Sequence, residues 1–223
     1  MSIALLLTLI GLALADSTSF GTLGVPVVMM LASDRKQTGR LMIYLATITV
    51  FYFLVGVALM LGLSAVMENF GDALQSRTFL WAQLAVGVGL FLLSWRFDSK
   101  KQKKQWEPKL GGPGTMVGLA LTMGLVEVAT MVPYLAAIGL MTSAGLTPLQ
   151  WGPVLAGYVL VMVVPPLALM AGRGLAGQWL EPKLAKLRDW LLRNAASMVG
   201  WTLAIVGFFI ARDAAARLFG WLT

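Results

Sequence analysis

Two acidic residues, Asp16 and Glu127, lie inside long apolar stretches of the sequence, which makes them the first candidates for chemistry. At about 1.5 Å per helical residue, each lies about 20 Å from the start of its stretch, near the middle of a bilayer. A carboxylate at that depth usually faces a polar cavity or a partner and marks an ion or substrate pathway. The structural alternative is that Asp16 caps a helix beginning at Ser17 and that Glu127 bonds to nearby backbone or hydroxyl groups.

Each acid is followed by hydroxyl-bearing residues and a proline, either Pro26 or Pro133. Proline cannot donate a helical hydrogen bond, and backbone groups freed at membrane depth are tolerated only where protein or water satisfies them. We therefore predict that both helices break or kink at proline and line a substrate or proton pathway. A simple proline kink in a continuous helix is the alternative. The predicted pathway residues are Asp16, Ser17, Thr18, Ser19, Thr22, Pro26, Glu127, Thr130, Pro133 and Tyr134.

The elements that must position these residues are transmembrane helices. Of the 223 residues 58% are hydrophobic and 12% charged, and a bilayer crossing needs about 20 apolar residues. The apolar runs predict six spans near 3–32, 41–66, 79–97, 114–142, 150–172 and 195–218. Ala13-Leu14-Ala15 resembles a signal-peptidase site, which is a rival interpretation of the first run. No basic region precedes that run and hydrophobicity resumes from Val25, so we favour a span.

Basic residues set the predicted orientation. Most of the 17 Lys and Arg residues fall in the loops after spans one, three and five, and such loops stay in the cytoplasm. Both termini of this multi-pass protein are then outside a bacterial plasma membrane. The segment 175–193 alternates leucines with basic residues, which predicts an amphipathic cytoplasmic helix that attracts anionic lipid. The alternative is that its basic residues serve only to keep this loop in the cytoplasm.

The chain divides into two similar halves. We predict a first three-helix repeat over 1–97, a cytoplasmic linker over 98–112 and a second three-helix repeat over 113–223. An odd number of spans in each half places the halves in opposite orientations, as in transporters with inverted repeats. The fold class is therefore an all-α polytopic membrane protein whose first and fourth helices are broken or kinked.

The composition also argues against several functions. Cysteine and histidine are absent, so disulfides, thiol redox centres and the usual zinc or haem ligands are absent too. Nothing resembles a Walker motif, a catalytic triad or a dinucleotide-binding loop, and we expect no enzyme activity, cofactor or metal site. The net charge of +7 reflects membrane topology, so no nucleic-acid partner is expected.

The Asp16-Ser17 pair, the run from Gly21 to Pro26 and the Pro133-Tyr134-Leu135-Ala136-Ala137-Ile138 stretch give the chain a family resemblance. It resembles the GAP family, the sulfolipid- or peptidoglycolipid-addressing group of actinobacterial membrane proteins within the LysE exporter superfamily. That resemblance implies a six-helix exporter of two inverted repeats that delivers cell-envelope glycolipids outward. The superfamily also includes exporters of amino acids and divalent metals, and thiol-electron carriers, of which the last are excluded by the absence of cysteine.

Three functions follow as hypotheses. The first is an exporter or flippase for a cell-envelope lipid or glycolipid, with or without proton coupling through Asp16 and Glu127. The second is an accessory subunit that docks on a larger lipid exporter. The third is an exporter of a small solute, an amino acid or a divalent cation. The absence of histidine argues against nickel or cobalt as the cation and leaves a carboxylate-bound hard cation open.

Overall fold

All regular elements in the described part of the chain are helical. The computed structural model describes residues 2–31, 37–74, 76–96, 112–128, 131–176 and 179–220. In chain order the helices are α1 (Ile3–Asp16), a π-helical turn (Phe20–Gly24), α2 (Val25–Leu31), α3 (Gln37–Leu74), α4 (Arg77–Ser94), α5 (Pro113–Val128), α6 (Val132–Ser143), α7 (Pro148–Ala176) and α8 (Glu181–Phe219). The predicted all-α class is confirmed.

Several of these helices are long and apolar enough to cross a membrane. Three qualify singly within the described residues, namely Thr38–Leu63, Arg77–Ser94 and Pro148–Leu175. Two bent helix pairs bring the total to as many as five if each pair is one span. The predicted sixth span, 195–218, lies within α8, which is not among these candidates. The count of six, like the inverted repeat, stays a prediction.

The first bent pair is α1 with the π-helical turn and α2, whose axes differ by 64°. The Ser17 and Thr18 hydroxyls donate to the carbonyls of Leu14 and Ala15, at 2.6 and 2.7 Å, and so bond to the last turn of α1. Ser19 then adopts an extended conformation, and its Oγ accepts the Thr22 N–H at 3.2 Å. Short polar side chains of this kind offer the backbone an alternative to a continuing helix, which is why the chain breaks here.

The predicted break is therefore present, but its position is corrected. It lies at Ser17–Ser19, whereas Pro26 sits inside the helix that follows. Because Pro26 has no N–H, it cannot close a normal turn onto the Thr22 carbonyl. The turn just before it is the wider π form, in which the Val25 N–H donates to the Phe20 carbonyl. The idea that Asp16 caps a helix beginning at Ser17 is also wrong, because Asp16 ends α1 and Ser19 is the N-cap of the next helix.

The second bent pair is α5 with α6, whose axes differ by 70°. Met131 is the N-cap of α6, and Pro133 lies in the first turn of that helix. Proline is tolerated at that place because the first N–H groups of a helix have no partner within it. The prediction of a break at Pro133 is confirmed.

The predicted amphipathic segment is helical but not a separate helix. From Glu181 onward it is continuous with the rest of α8. Its leucines Leu184 and Leu191 are each only 1% exposed, so they pack within the protein, and the Lys183 ammonium lies 3.2 Å from the ring centroid of Trp179. Contact of this segment with anionic lipid stays a prediction.

The chain forms two compact units. The first comprises residues 1–60 and 103–192. In it α1 packs on α6 and α7, the π-helical turn contacts α5 and α7, and α2 contacts α7. Five of the seven residues of α2 are buried, whereas Ile3 and Leu7 of α1 are 77% and 64% exposed. The two broken stretches and α7 thus form the centre of this unit.

The second unit comprises residues 61–102 and 193–223. Its helices α4 and the C-terminal part of α8 approach so closely that a Cβ on Gly87 would lie 2.8 Å from the Gly207 carbonyl oxygen. Close crossing at small residues is typical of helix pairs in membranes. Gln83 Nε2 donates to Asp213 Oδ2 at 3.0 Å across the same contact. Gln83 therefore joins the two helices.

The predicted topology can be tested directly because the chain contains no cysteine. A single cysteine at position 103 should react with a membrane-impermeant maleimide only after the cells are opened, since the basic 98–112 segment is expected to be cytoplasmic. A cysteine placed at Ser2 should label on intact cells. Labelling of position 103 from outside would refute the orientation.

Candidate functional site

Glu127, next to the C-terminal end of α5, holds the two broken stretches together. Its Oε1 accepts the N–H of Gly21 in the π-helical turn, and its Oε2 accepts the Tyr52 hydroxyl at 2.5 Å. The Ser19 side chain is a further hydrogen-bonding partner of this carboxylate. Gly21 lies at the start of its helix, where N–H groups lack helical partners and anionic groups are stabilised. Glu127 therefore acts as a cap that one broken stretch supplies to the other.

Gly21 is needed for this approach. A Cβ at that position would lie 2.8 Å from the Glu127 Cδ atom and still closer to its Oε2. Both atoms belong to a buried carboxyl group that is already hydrogen-bonded on each oxygen, so it could not move aside cheaply. A small residue at position 21 is thus a condition for the contact between α5 and the π-helical turn.

All four tyrosines of the sequence surround this contact. The Tyr44 hydroxyl donates to the Gly21 carbonyl at 2.7 Å, and the Tyr134 hydroxyl donates to the Tyr52 carbonyl at 2.6 Å. The rings also pack in a row, with centroids 5.9 Å apart for Tyr52 and Tyr134 and 5.4 Å apart for Tyr134 and Tyr158. Three phenols therefore brace the backbone and Glu127, while the fourth, Tyr158, is oriented by its ring contact.

Asp16 belongs to the same cluster but is bonded differently. Its side chain is only 6% exposed, and its Oδ2 has no hydrogen-bond partner within the described residues. It is near enough to Glu127, Tyr134 and Tyr158 to interact with them electrostatically. The Asp16 carboxylate lies within hydrogen-bonding reach of the Tyr158 hydroxyl. Thr22 Oγ1 is also buried without a partner in that part of the chain. Leaving a buried polar atom unpaired typically costs about 1–3 kcal/mol, so Asp16 Oδ2 and Thr22 Oγ1 call for a partner.

The predicted pathway residues are thus only partly gathered at one place. Asp16, Thr22, Glu127 and Tyr134 are buried in the cluster, and Ser19 contributes to it. Ser17 and Thr18 bond instead to the end of α1, and Thr18 is exposed. The remaining predicted residues are Pro26, which is buried in α2, Pro133, which lies in the first turn of α6, and Thr130, which lies outside the described residues.

Three tyrosines, Tyr44, Tyr52 and Tyr158, were missed by sequence reasoning. A signal did exist, because aromatic residues with a polar tip normally lie at the ends of spans, at headgroup level. Tyr52 and Tyr158 instead lie well inside the predicted spans 41–66 and 150–172. A phenol at such a depth needs a hydrogen-bond partner, as an intramembrane acid does.

A comparison with known protein families shows which family this chain belongs to. The family described as Sap, sulfolipid-1-addressing protein, matches residues 9–216, which include both acids, all four tyrosines and both broken stretches. The chain belongs to the sulfolipid-1-addressing protein family. No curated protein and no solved structure matches it. The resemblance to the lipid-addressing group is therefore confirmed at the level of the family, and the family's name links the chain to lipid.

Membership of the sulfolipid-1-addressing protein family gives the buried cluster a context. The apolar surface of α1 and the long apolar helices suit a membrane protein, and the family name suggests a role in lipid addressing or transport. Within the described residues, no group of three or more acidic, histidine or cysteine side chains is placed to hold a metal ion. The cluster instead offers carboxylates, phenols and a threonine hydroxyl.

Proposed function

We propose that this protein is a plasma-membrane exporter or flippase that moves a cell-envelope lipid or glycolipid outward. The observation that carries the proposal is a buried polar cluster at the meeting point of two broken helices in a member of a lipid-addressing family. Irregular backbone and ionisable groups at membrane depth are features of substrate and ion pathways. The protein works without enzyme chemistry, because moving a lipid breaks no covalent bond.

The proposal includes proton coupling through Asp16 and Glu127. Asp16 and Glu127 interact electrostatically within one buried cluster. Two carboxylates in one low-dielectric place can share or exchange a proton as their surroundings change. A change in the Gly21–Glu127 contact would alter both the charge balance and the angle between the helix pairs, which couples protonation to movement.

The proposal predicts lipid movement by the purified protein alone. Proteoliposomes should be made with a fluorescent glycolipid in both leaflets, and dithionite should then be added outside to quench the accessible label. The protein should allow quenching beyond the outer-leaflet fraction, because inner-leaflet lipid is carried out. An imposed proton gradient should change the rate. Quenching equal to that of protein-free liposomes would refute transport by the isolated protein.

The second candidate is an accessory subunit of a larger lipid exporter. It is favoured by dense packing in this unit, since the flexible side chains of Met29, Met30 and Met131 would suit the lining of a lipid groove but are at most 4% exposed. An accessory role predicts no lipid movement by the isolated protein and movement that depends on a co-purifying exporter. Export of a small solute or a divalent cation has no comparable support among the described residues.

A further inference from the structure

The first turns of α8 expose a face that differs from the usual face of a helix lying on a membrane. Such a helix normally buries its apolar side chains in the lipid. Here Leu184 and Leu191 are each 1% exposed, so the protein already covers them. The exposed residues Lys183, Lys186 and Trp190 follow one another at intervals of three and four positions, and therefore share one side of the helix. The outward face of this segment thus carries lysine and tryptophan in place of leucine.

The charge of this face is positive because its acidic neighbours are already paired. Glu181 lies 3.7 Å from Arg173, and Asp189 lies 2.8 Å from Arg188. The two lysines make no ion pair within the described residues. Each acid of the segment is therefore compensated by an arginine, and the charge of the lysines is left for a partner outside the protein.

The place of this face in the chain is next to the end of a membrane-crossing helix. The apolar stretch Pro148–Leu175 of α7 is long enough to span a bilayer, and Trp179 follows four residues later. Trp179 and Trp190 are 66% and 49% exposed. Exposed tryptophan is typical of the headgroup level, because its ring is apolar and its N–H is polar. The Lys183 ammonium lies 3.2 Å from the centroid of the Trp179 ring, which holds this lysine at the same level.

We propose that Lys183 and Lys186, together with Trp179 and Trp190, form a surface that binds the anionic headgroups of membrane lipids in the leaflet where α7 ends. Basic residues next to a span typically gain about fivefold in affinity each from anionic lipid. An acidic protein would match the charge equally well, but exposed tryptophans beside the end of a span favour the lipid boundary. This inference is independent of the proposed export, since it concerns lipid that surrounds the protein and not the lipid that is moved.

Photo-crosslinking from this face tests the proposal in the full-length protein. Nanodiscs should contain equal amounts of phosphatidylglycerol, which is anionic, and phosphatidylcholine with the same acyl chains. The photoreactive amino acid p-benzoylphenylalanine, in place of Trp190, should form adducts with phosphatidylglycerol about tenfold or more in excess, as mass spectrometry of the labelled peptide would show. The same label in place of Trp201, which is 71% exposed inside the predicted sixth span, should show no such excess and is the matched control.

Lysine variants in the labelled protein separate specific binding from general exposure to lipid. Lys186→Gln should reduce the excess about fivefold, and Lys183→Gln combined with it should remove the excess, whereas Lys186→Arg should preserve it. Both lysines are exposed, so the thermal midpoint should stay close to that of the wild type. Equal labelling of the two lipids from Trp190 would overturn the proposal and leave an acidic protein as the partner of this face. An excess that survives the loss of both lysines would overturn it as well.

Discussion

Glu127→Ala should lower the free energy of unfolding by about 3 kcal/mol or more, because it leaves the Gly21 N–H and the Tyr52 hydroxyl buried without their acceptor. The truncation would also leave a cavity between α5 and the π-helical turn. Glu127→Gln should cost much less, since the amide oxygen can still accept from Gly21 and the Tyr52 hydroxyl can rotate to accept from the amide nitrogen. The order of stability is therefore wild type, then Gln, then Ala.

The measurement is the thermal midpoint of each purified variant in one detergent. Glu181→Ala is the matched control, because within the described residues Glu181 makes an exposed ion pair with Arg173 at 3.7 Å, and such pairs contribute at most about 1 kcal/mol. If Glu127→Ala melts like Glu181→Ala, then Glu127 does not hold the two broken stretches together.

Asp16→Asn should reduce lipid export by about tenfold or more, because the amide can neither carry a proton nor act as a charged hydrogen-bond acceptor. Its folding should be preserved, because the amide oxygen can still accept from the Tyr158 hydroxyl and the amide no longer buries a charge. Glu127→Gln should also reduce export more than it reduces membrane yield if the carboxylate carries a proton. Glu127 is therefore expected to matter for stability as well as for export, whereas Asp16 is expected to matter mainly for export.

Export should be compared in cells that contain each variant at matched protein levels, with membrane yield measured in parallel. Asp213→Asn serves as the control for the same chemical change at a position that joins α4 to α8 through Gln83. Wild-type export from both Asp16→Asn and Glu127→Gln would rule out proton coupling and leave these acids with structural roles. Loss of membrane yield from Asp16→Asn would show instead that the Asp16 carboxylate is needed for folding.

The helical breaks illustrate how far local sequence could predict the fold. Ser17 and Thr18 act on carbonyls three residues away, and Pro133 limits its own helical turn, so the breaks follow from neighbouring residues. The predicted position of the first break was less accurate, because the prediction gave Pro26 more weight than the hydroxyl side chains at positions 17–19. Pro26 can lie within a helix here because the preceding turn is π-helical and does not require a hydrogen bond from the missing Pro26 N–H.

The sequence alone determined that the protein is helical, suits a membrane and carries two costly acids, because hydrophobic run length and buried charge depend on nearby residues. Only the tertiary structure decided their separate roles. Glu127 meets Gly21 and Tyr52 across 106 and 75 positions of the chain, and Tyr134 reaches Tyr52 across 82. No local pattern encodes such pairings. Whether a buried carboxylate is engaged, like Glu127, or left with an open oxygen, like Asp16, depends on which distant helix packs against it.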